Sequence, residues 1–201
     1  MNFFSIDCST EVGSLFVKVK NKTFNKILQC DRSGNDLLMK QILDFFDENN
    51  LKFDDISNIF ANQGPGNFSG LRGSLAIAKA ISLSKNLNLF GYNTFLWSCS
   101  KFLDEKYSIC SFTKFKKKYF IKKFEKSFHN FSKVEEISLN EILKKYENKF
   151  KVVPKNVIKY FDEKILKLDN LNIVDLDHNE LEFLYLKGLL DKELIKPLYL
   201  S

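Results

Sequence analysis

Metal-binding and hydrolase motifs are missing from this sequence. Its 201 residues contain two histidines, His129 and His178, and four cysteines, and none of them has the spacing of an H-x-x-x-H, H-E-x-x-H or C-x-x-C pair. No Gly-Lys-Ser/Thr follows a glycine-rich loop at the Walker A spacing, and no serine occupies a G-x-S-x-G elbow. The sequence therefore offers no recognisable metal centre, P-loop or hydrolase triad. An isolated histidine is more often a surface or packing residue than a ligand.

A long apolar run and a leader with a cleavage site are missing as well. Segments of about 20 apolar residues are needed to cross a bilayer, and a secretory leader has a recognisable basic and apolar pattern. We therefore expect a cytoplasmic protein with reduced thiols and no membrane contact.

Positive charge is concentrated in one segment. The net charge is +6, and residues 101–170 hold 18 lysines against 10 acidic residues, whereas the remainder holds 13 basic and 15 acidic residues. The favoured interpretation is a solvated lysine-rich surface. The alternative is a basic nucleic-acid-binding module, in which lysines flank Tyr119 and Phe120. The lysines concerned are Lys116, Lys117, Lys118, Lys122 and Lys123.

The order of predicted elements favours an α/β fold. Period-two alternation and turn residues predict strands at residues 3–7, 14–19, 25–30, 58–62 and 87–92. Apolar periodicity predicts helices at 35–50, 69–84 and 94–103. A three-strand meander that feeds strand–helix crossovers gives a mixed sheet flanked by helices. This pattern fits one lobe of the actin-like, sugar-kinase-like and Hsp70-like (ribonuclease-H-like) two-lobe fold, and it differs from a Rossmann fold because its first connection is a hairpin.

The second half of the chain is less regular. Strands are predicted at residues 108–112, 119–124, 150–153 and 172–176, and helices at 140–146 and 179–190. No internal repeat is visible in the sequence. Because the charge balance changes near residues 100–107, we expect a first lobe at residues 1–103 and a shorter lysine-rich second lobe at residues 104–201.

The hairpin motif, Ile-Asp-Cys-Ser-Thr-Glu at residues 6–11, lies at the end of the first predicted strand. In actin-like folds such a hairpin wraps nucleotide phosphates: an Asp such as Asp7 can hold a metal-bound water, and hydroxyls such as those of Ser9 and Thr10 can meet the phosphates. The alternative is an acidic turn whose side chains bond local backbone, and the motif alone favours that alternative.

The glycine motif, residues 64–73, joins a predicted strand to a predicted helix. Its glycines allow a sharp turn and close backbone approach, Asn67 or Ser69 can cap the helix, and free N–H groups at the helix start can bind an anion. Arg72 could face a phosphate or a partner carboxylate. A tight structural turn is an equally good interpretation. The candidate residues in this motif are Gly64, Pro65, Gly66, Asn67, Phe68, Ser69, Gly70 and Arg72.

Two predicted helices carry more apolar residues than one sheet should need. A surface helix needs an apolar stripe of roughly 100°, and the apolar residues between residues 37 and 46 cover more than that. We therefore expect a protein interface here, and the alternative is deeper burial within the chain itself. The predicted interface residues are Leu38, Ile42, Phe45, Phe46, Leu75 and Ala78.

Together these motifs resemble the TsaB (YeaZ-like) family. The hairpin motif resembles the family's opening I-D-T-S/A-T-E, and Gly-Pro-Gly-Asn-Phe-Ser-Gly-Leu-Arg at residues 64–72 is similar to its G-P-G-S-F-T-G-V/L-R signature. The C-terminal motif, Pro-Leu-Tyr-Leu at residues 197–200, is similar to a closing P-x-Y-L. The resemblance is strong over residues 2–103 and weak from there to about residue 195.

This resemblance implies a non-catalytic scaffold subunit in the synthesis of threonylcarbamoyladenosine next to the tRNA anticodon. The implied partners are a TsaD-like transferase, which docks on the first-lobe helices, and a TsaE-like ATPase. The chain would contact tRNA only indirectly, and a homodimer is a further option. The resemblance implies no cofactor of the chain itself, although ATP or ADP could lie at the partner interface. The resemblance implies that this chain has no catalytic residues and no metal-binding residues.

Two other classes of function stay open. One is an enzyme, either an actin-fold ATPase or kinase or a metalloprotease-like protein. A kinase needs a second-lobe adenosine pocket, usually rich in glycine, but only Gly188 lies beyond Gly91. The other is the basic nucleic-acid-binding module described above.

Overall fold

A computed structural model describes residues 1–30, 37–103, 108–125, 132–193 and 195–200. The chain forms two compact units: the first comprises Met1–Asn93 and Leu184–Ser201, and the second comprises Thr94–Phe183. This division differs from the predicted boundary at residues 103 and 104 in two respects. The second unit begins ten residues earlier, and the C-terminal segment returns to the first unit.

The first unit is built on a mixed five-stranded sheet with the order β3-β2-β1-β4-β5. The first three strands form an antiparallel meander, and β4 and β5 follow in parallel with β1. The strands are β1 Phe3–Asp7, β2 Val12–Val19, β3 Lys22–Gln29, β4 Asn58–Asn62 and β5 Asn88–Tyr92. Strands β1 and β4 are buried along their whole length, including their polar residues Ser5, Asp7, Asn58 and Asn62.

Two helices pack on this sheet. Helix α1 spans Leu38–Glu48, a short 3₁₀ helix spans Phe53–Asp55, and helix α2 spans Phe68–Lys85. The predicted start of α1 at residue 35 lies outside the described residues. Their inward side chains join β1, β2 and β4 in one apolar core, and both α1 and α2 lie between the sheet and solvent.

The second unit repeats the strand order of the first. Its sheet has the order β10-β9-β6-β7-β8, with an antiparallel meander β6-β7-β8 and with β9 and β10 parallel to β6. The strands are β6 Ile109–Phe115, β7 Lys118–Phe124, β8 Glu135–Ile137, β9 Phe150–Pro154 and β10 Leu171–Val174. The helices are α3 Thr94–Cys99, α4 Leu139–Lys145 and α5 Glu163–Leu166, with 3₁₀ helices at Ser100–Phe102 and Lys155–Tyr160, and α6 Glu180–Leu186 follows.

Two ionisable side chains of the second unit are buried in its interior. Lys151 is fully buried, and its Nζ donates to the carbonyl oxygens of Tyr146, Glu147 and Lys149 at 2.8, 2.6 and 2.7 Å. His178 packs on Trp97 with ring centroids 4.8 Å apart, and burial lowers the pKa of His178 to about 3 although Asp177 acts in the opposite direction. His178 is thus a neutral packing residue, whereas His129 lies outside the described residues.

The cysteines in the described ranges, Cys8, Cys30, Cys99 and Cys110, are all buried and form no disulfide with one another. Burial raises the pKa of the Cys99 thiol to about 12, so this group stays protonated at neutral pH. None of the helices in the described part of the chain combines the length and the apolar character that are needed to cross a lipid bilayer.

Candidate functional site

The hairpin motif uses its polar side chains for hydrogen bonds within the first unit. Asp7 ends β1 and is 5% exposed, and its Oδ1 accepts from the Ser9 N–H at 2.8 Å and from Asn62 Nδ2 at 2.9 Å. Burial raises the pKa of Asp7, and the hydrogen bonds from Ser9 and Asn62 oppose that effect. The Thr10 hydroxyl donates to the carbonyl oxygen of Val12 at 2.6 Å. The geometry therefore favours the acidic-turn interpretation of this motif, with Asn62 as an additional side-chain partner of Asp7.

The glycine motif turns sharply between β4 and α2. Gly64 has φ +101°, a conformation that favours glycine, and its N–H donates to Asn62 Oδ1 at 2.8 Å. The peptide bond between Gly64 and Pro65 is cis. Asn67 caps α2 by accepting from the Ser69 N–H at 3.2 Å, so Asn67 rather than Ser69 is the N-cap.

Two glycines of this motif lie directly against the hairpin motif. A Cβ on Gly66 would come closer than 3.0 Å to the carbonyl oxygen of Ser9, and a Cβ on Gly70 would also come closer than 3.0 Å to that of Cys8. The Asn67 N–H donates to the same Ser9 carbonyl at 2.7 Å. The glycines are therefore required for backbone-to-backbone contact between two segments of this chain.

The C-terminal motif meets the glycine motif from the other side. The Leu198 N–H donates to the carbonyl oxygen of Gln63 at 2.6 Å, and Gln63 Nε2 donates to the carbonyl oxygen of Lys196 at 3.0 Å. The ring of Tyr199 stacks on Phe68 at 5.1 Å. Three motifs that are far apart in the sequence thus form one structural cluster, which we call the motif cluster (residues 6–11, 62–73 and 196–200).

Arg72 lies at the surface of the motif cluster. Its guanidinium carbon sits 5.1 Å from the centroid of the Phe68 ring, and the side chains of Phe68 and Tyr199 are 51% and 54% exposed. A cation over an aromatic ring contributes about 0.5–1 kcal/mol at an exposed position. The arrangement presents Arg72 on a small aromatic surface.

Several backbone donors of the glycine motif are engaged within the chain. The N–H groups of Gly64, Asn67 and Ser69 have the acceptors given above, and that of Leu71 donates to the Asn67 carbonyl at 3.0 Å. Phosphate cradles depend on N–H groups that are free to point at the ligand. In the described ranges, no three His, Cys, Asp or Glu side chains converge to hold a metal ion. The contacts of the glycine motif therefore serve to fix the start of α2 against the hairpin motif.

Sequence reasoning missed Asn62 and Gln63. Asn62 links Asp7 to Gly64 through its two amide atoms, and Gln63 joins β5 to the C-terminal segment because its N–H donates to the Tyr92 carbonyl at 2.7 Å. Gln63 Oε1 is buried without a hydrogen-bond partner among the described residues. The sequence signal for these residues was a pair of amide side chains at the end of a buried strand, directly before a glycine.

The predicted interface residues are core residues. Leu38, Ile42 and Ala78 are fully buried, and Phe45, Phe46 and Leu75 are 2%, 3% and 3% exposed. All six belong to the apolar core of the first unit. Their assignment to a docking surface was wrong because α1 and α2 turn these side chains toward the sheet of their own unit.

Other residues of the same helices face outward. Met39 and Leu43 of α1 are 39% and 43% exposed, and Leu83 of α2 is 84% exposed. Ala76 and Ala80 are exposed as well. Residues 76, 80 and 83 recur at helical spacing and so share one side of α2. We call this set, Met39, Leu43, Ala76, Ala80 and Leu83, the outer helix face.

Comparison with known proteins gives consistent results. Residues 29–109 match the family model described as TsaD: tRNA N6-adenosine threonylcarbamoyltransferase. The tRNA threonylcarbamoyladenosine biosynthesis protein TsaB of Buchnera aphidicola subsp. Baizongia pistaciae is 34% identical over 83 residues, which cover 41% of this chain and 38% of that protein. The match thus spans well under half the length of that curated relative.

Two solved structures extend the likeness over the whole chain. A Pseudomonas aeruginosa protein described as similar to peptidase YeaZ has a TM-score of 0.73 at 13% identity, with coverage of 100% of this chain and 99% of that one. YeaZ from the same organism has a TM-score of 0.70 at 13% identity and covers 99% of both chains. With the repeated strand order, this confirms the predicted actin-like fold of mixed sheets flanked by helices. The resemblance that the motifs predicted is also confirmed: the chain is TsaB-like (YeaZ-like) in its matched sequence and in its fold.

Proposed function

We propose that this chain is a non-catalytic scaffold subunit in the formation of threonylcarbamoyladenosine next to the tRNA anticodon. It binds a TsaD-like transferase, and a TsaE-like ATPase joins the two. The curated relative is a TsaB protein of threonylcarbamoyladenosine biosynthesis, which supports a role in the same process. The same proposal places the chain in the cytoplasm, where tRNA reaches it as the substrate of the transferase.

The observation that carries the proposal is the motif cluster. In an actin-like enzyme the hairpin and glycine segments would leave donors and a carboxylate open toward a nucleotide. Here Asp7 accepts from Ser9 and Asn62, and Gly66 and Gly70 lie against the backbone of residues 8 and 9. The residues that an enzyme would use for phosphates therefore hold the fold of the first unit, which supports a binding role. Any ATP or ADP would lie at the interface with the partner.

The outer helix face is the docking surface that the proposal assigns to the TsaD-like transferase. It carries small and apolar side chains, which allow a partner helix to approach closely. In the free chain, Leu83 and Leu43 expose apolar surface to water that a partner would cover. The two helices are neighbours, since a Cβ on Gly73 of α2 would lie 3.9 Å from Leu38 Cδ2 of α1. A second copy of this chain could use the same face, which gives the homodimer as the competing assembly.

The proposal is tested by mixing the purified chain with the purified TsaD-like transferase of the same organism. We expect a stable complex in size-exclusion chromatography with light scattering, and no ATP hydrolysis by the chain alone. An enzyme of the ATPase or kinase class would instead show turnover without a partner. Failure of the two proteins to associate at micromolar concentration would contradict the scaffold role.

A further inference from the structure

The β6–β7 hairpin ends in two lysines, Lys116 and Lys117, that connect the strands. We propose that this tip is a contact for the phosphate backbone of RNA. The choice of RNA over another polyanion rests on the proposed function, because that role brings the chain to tRNA.

Three lysines of the hairpin are engaged inside the second unit. Residues 114–124 contain six lysines and no acidic residue. The Nζ of Lys118 pairs with Glu136 at 2.8 Å and that of Lys123 with Glu135 at 3.2 Å, so strand β8 supplies the counter-charges. Lys114 Nζ lies 4.6 Å from the centroid of the Tyr119 ring and donates to its hydroxyl at 3.2 Å. The basic segment is thus partly neutralised by its own neighbours.

The two tip lysines differ from these. Both are exposed, and no described residue offers either of them a carboxylate partner. Lys116 Nζ lies 5.5 Å from the centroid of the Phe115 ring, so an aromatic side chain accompanies the charge. Uncompensated positive charge beside an aromatic surface is the combination that backbone-tracking nucleic-acid sites use.

The backbone of the tip is unfavourable for lysine. Lys116 and Lys117 have φ of 47° and 68°, as in a two-residue turn of the type in which Asn-Gly is preferred. Each non-glycine residue in this left-handed region costs roughly 1 kcal/mol. Two lysines therefore occupy a position where they lower stability, and the contact of Lys116 with the Phe115 ring offsets only part of that cost. This is the pattern expected of residues that act on a partner.

The β2–β3 hairpin of the first unit provides a matched comparison. It also turns through two residues, Lys20 and Asn21, with φ of 50° and 64°. There the Lys20 N–H is held by Asn2 Oδ1 at 3.1 Å. The two hairpins share turn geometry and a lysine, so they allow the effect of turn chemistry to be separated from the effect of location.

The test is a double substitution, Lys116→Asn with Lys117→Gly, in the full chain. Asn-Gly suits this turn, so the variant should unfold at a higher denaturant concentration than the wild type. Its affinity for a fluorescently labelled, unmodified tRNA transcript should nevertheless fall about tenfold at low salt, because two phosphate contacts are lost. The slope of log K against log salt concentration should shrink in magnitude by about 1.4 to 1.8. Anisotropy titrations at several salt concentrations give both quantities.

The matched control is Lys20→Asn with Asn21→Gly and Lys22→Gln, which also removes two lysines. We expect the control to keep the wild-type salt slope and RNA affinity. An equal loss in the control would mean that net charge alone is measured and would overturn the proposal, as would a tip variant that binds RNA like the wild type. Absence of RNA binding by the wild type would overturn it too.

The same variants separate this inference from the proposed function. The tip variant should still form the complex with the TsaD-like transferase. If that complex were lost, the tip would belong to a protein interface and the RNA contact would be refuted. If the wild type failed to bind the transferase but bound RNA through the tip, the scaffold role would fall and the RNA contact would stand.

Discussion

Replacing Gly70 by alanine is expected to lower the free energy of unfolding of the first unit by about 3 kcal/mol, because the new methyl group overpacks a rigid backbone contact. A Cβ there would come closer than 3.0 Å to the carbonyl oxygen of Cys8. Neither α2 nor the hairpin motif can shift alone, since Asn67 at the start of α2 is hydrogen-bonded to Ser9. Urea unfolding followed by far-UV circular dichroism measures the loss.

Gly73→Ala is the matched control, since Gly73 lies in the same helix. A Cβ there would meet only Leu38 Cδ2, at 3.9 Å, so the better helix propensity of alanine should raise stability by up to about 1 kcal/mol. For a chain of this size the two variants should then differ in Tm by roughly 8–16 °C. Equal stability of the two variants would contradict the interpretation that the glycine motif fixes α2 against the hairpin motif.

Arginine at two neighbouring alanines of α2 is expected to have opposite consequences. Ala78 is fully buried, so Ala78→Arg places an unpaired charge in the core and should cost more than about 4 kcal/mol of stability. Ala80 is exposed, so Ala80→Arg should leave the fold intact. At the proposed interface the same arginine would be desolvated without a partner, and the affinity for the TsaD-like transferase should fall more than about a hundredfold.

Thermal unfolding and calorimetric titration with the transferase distinguish the two effects. The wild type sets the reference affinity and the reference Tm. Ala80→Arg protein that is folded and binds as tightly as the wild type would move the docking surface away from the outer helix face. A stable, folded Ala78→Arg variant would contradict the packing described for α2.

The first half of the fold was predictable because its signals are local. Strands β1 and β4 were predicted with the bounds that the structure has, and α2 was predicted to within one residue at each end. Apolar side chains in β1 and β4 are followed by the polar residues Asp7 and Asn62, and Asn67 supplies a cap for α2. These features need no information from distant parts of the chain.

The second half was less predictable because its elements are short. Strand β8 has three residues, Glu135–Ile137, and only Ile137 is buried, so no alternation could be recognised. The repeated strand order of the two units leaves no repeat in the sequence, because topology depends on which strands pair and not on shared residues. The return of the C-terminal motif to Gln63 spans 133 positions, and nothing local indicates it.

The interface prediction failed for a different reason. Counting apolar residues in α1 suggested a surplus, but Leu38, Ile42, Phe45 and Phe46 recur at positions 0, 4, 7 and 8, which is the ordinary buried stripe of an amphipathic helix. The exposed apolar residues Met39 and Leu43 lie beside that stripe. Sorting the residues by helical position, rather than counting them, would have separated core from surface.

The most direct test of the non-catalytic role is a reconstituted modification assay with the Asp7→Asn variant. Asparagine keeps an oxygen acceptor for the Ser9 N–H and removes the carboxylate whose pKa burial raises, so the fold should be preserved. We expect threonylcarbamoyladenosine formation by the TsaD-like transferase and the TsaE-like ATPase to require this chain, and Asp7→Asn to support it as well as the wild type does. A folded Asp7→Asn variant that still binds the transferase but no longer supports modification would contradict the scaffold role and assign chemistry to this site.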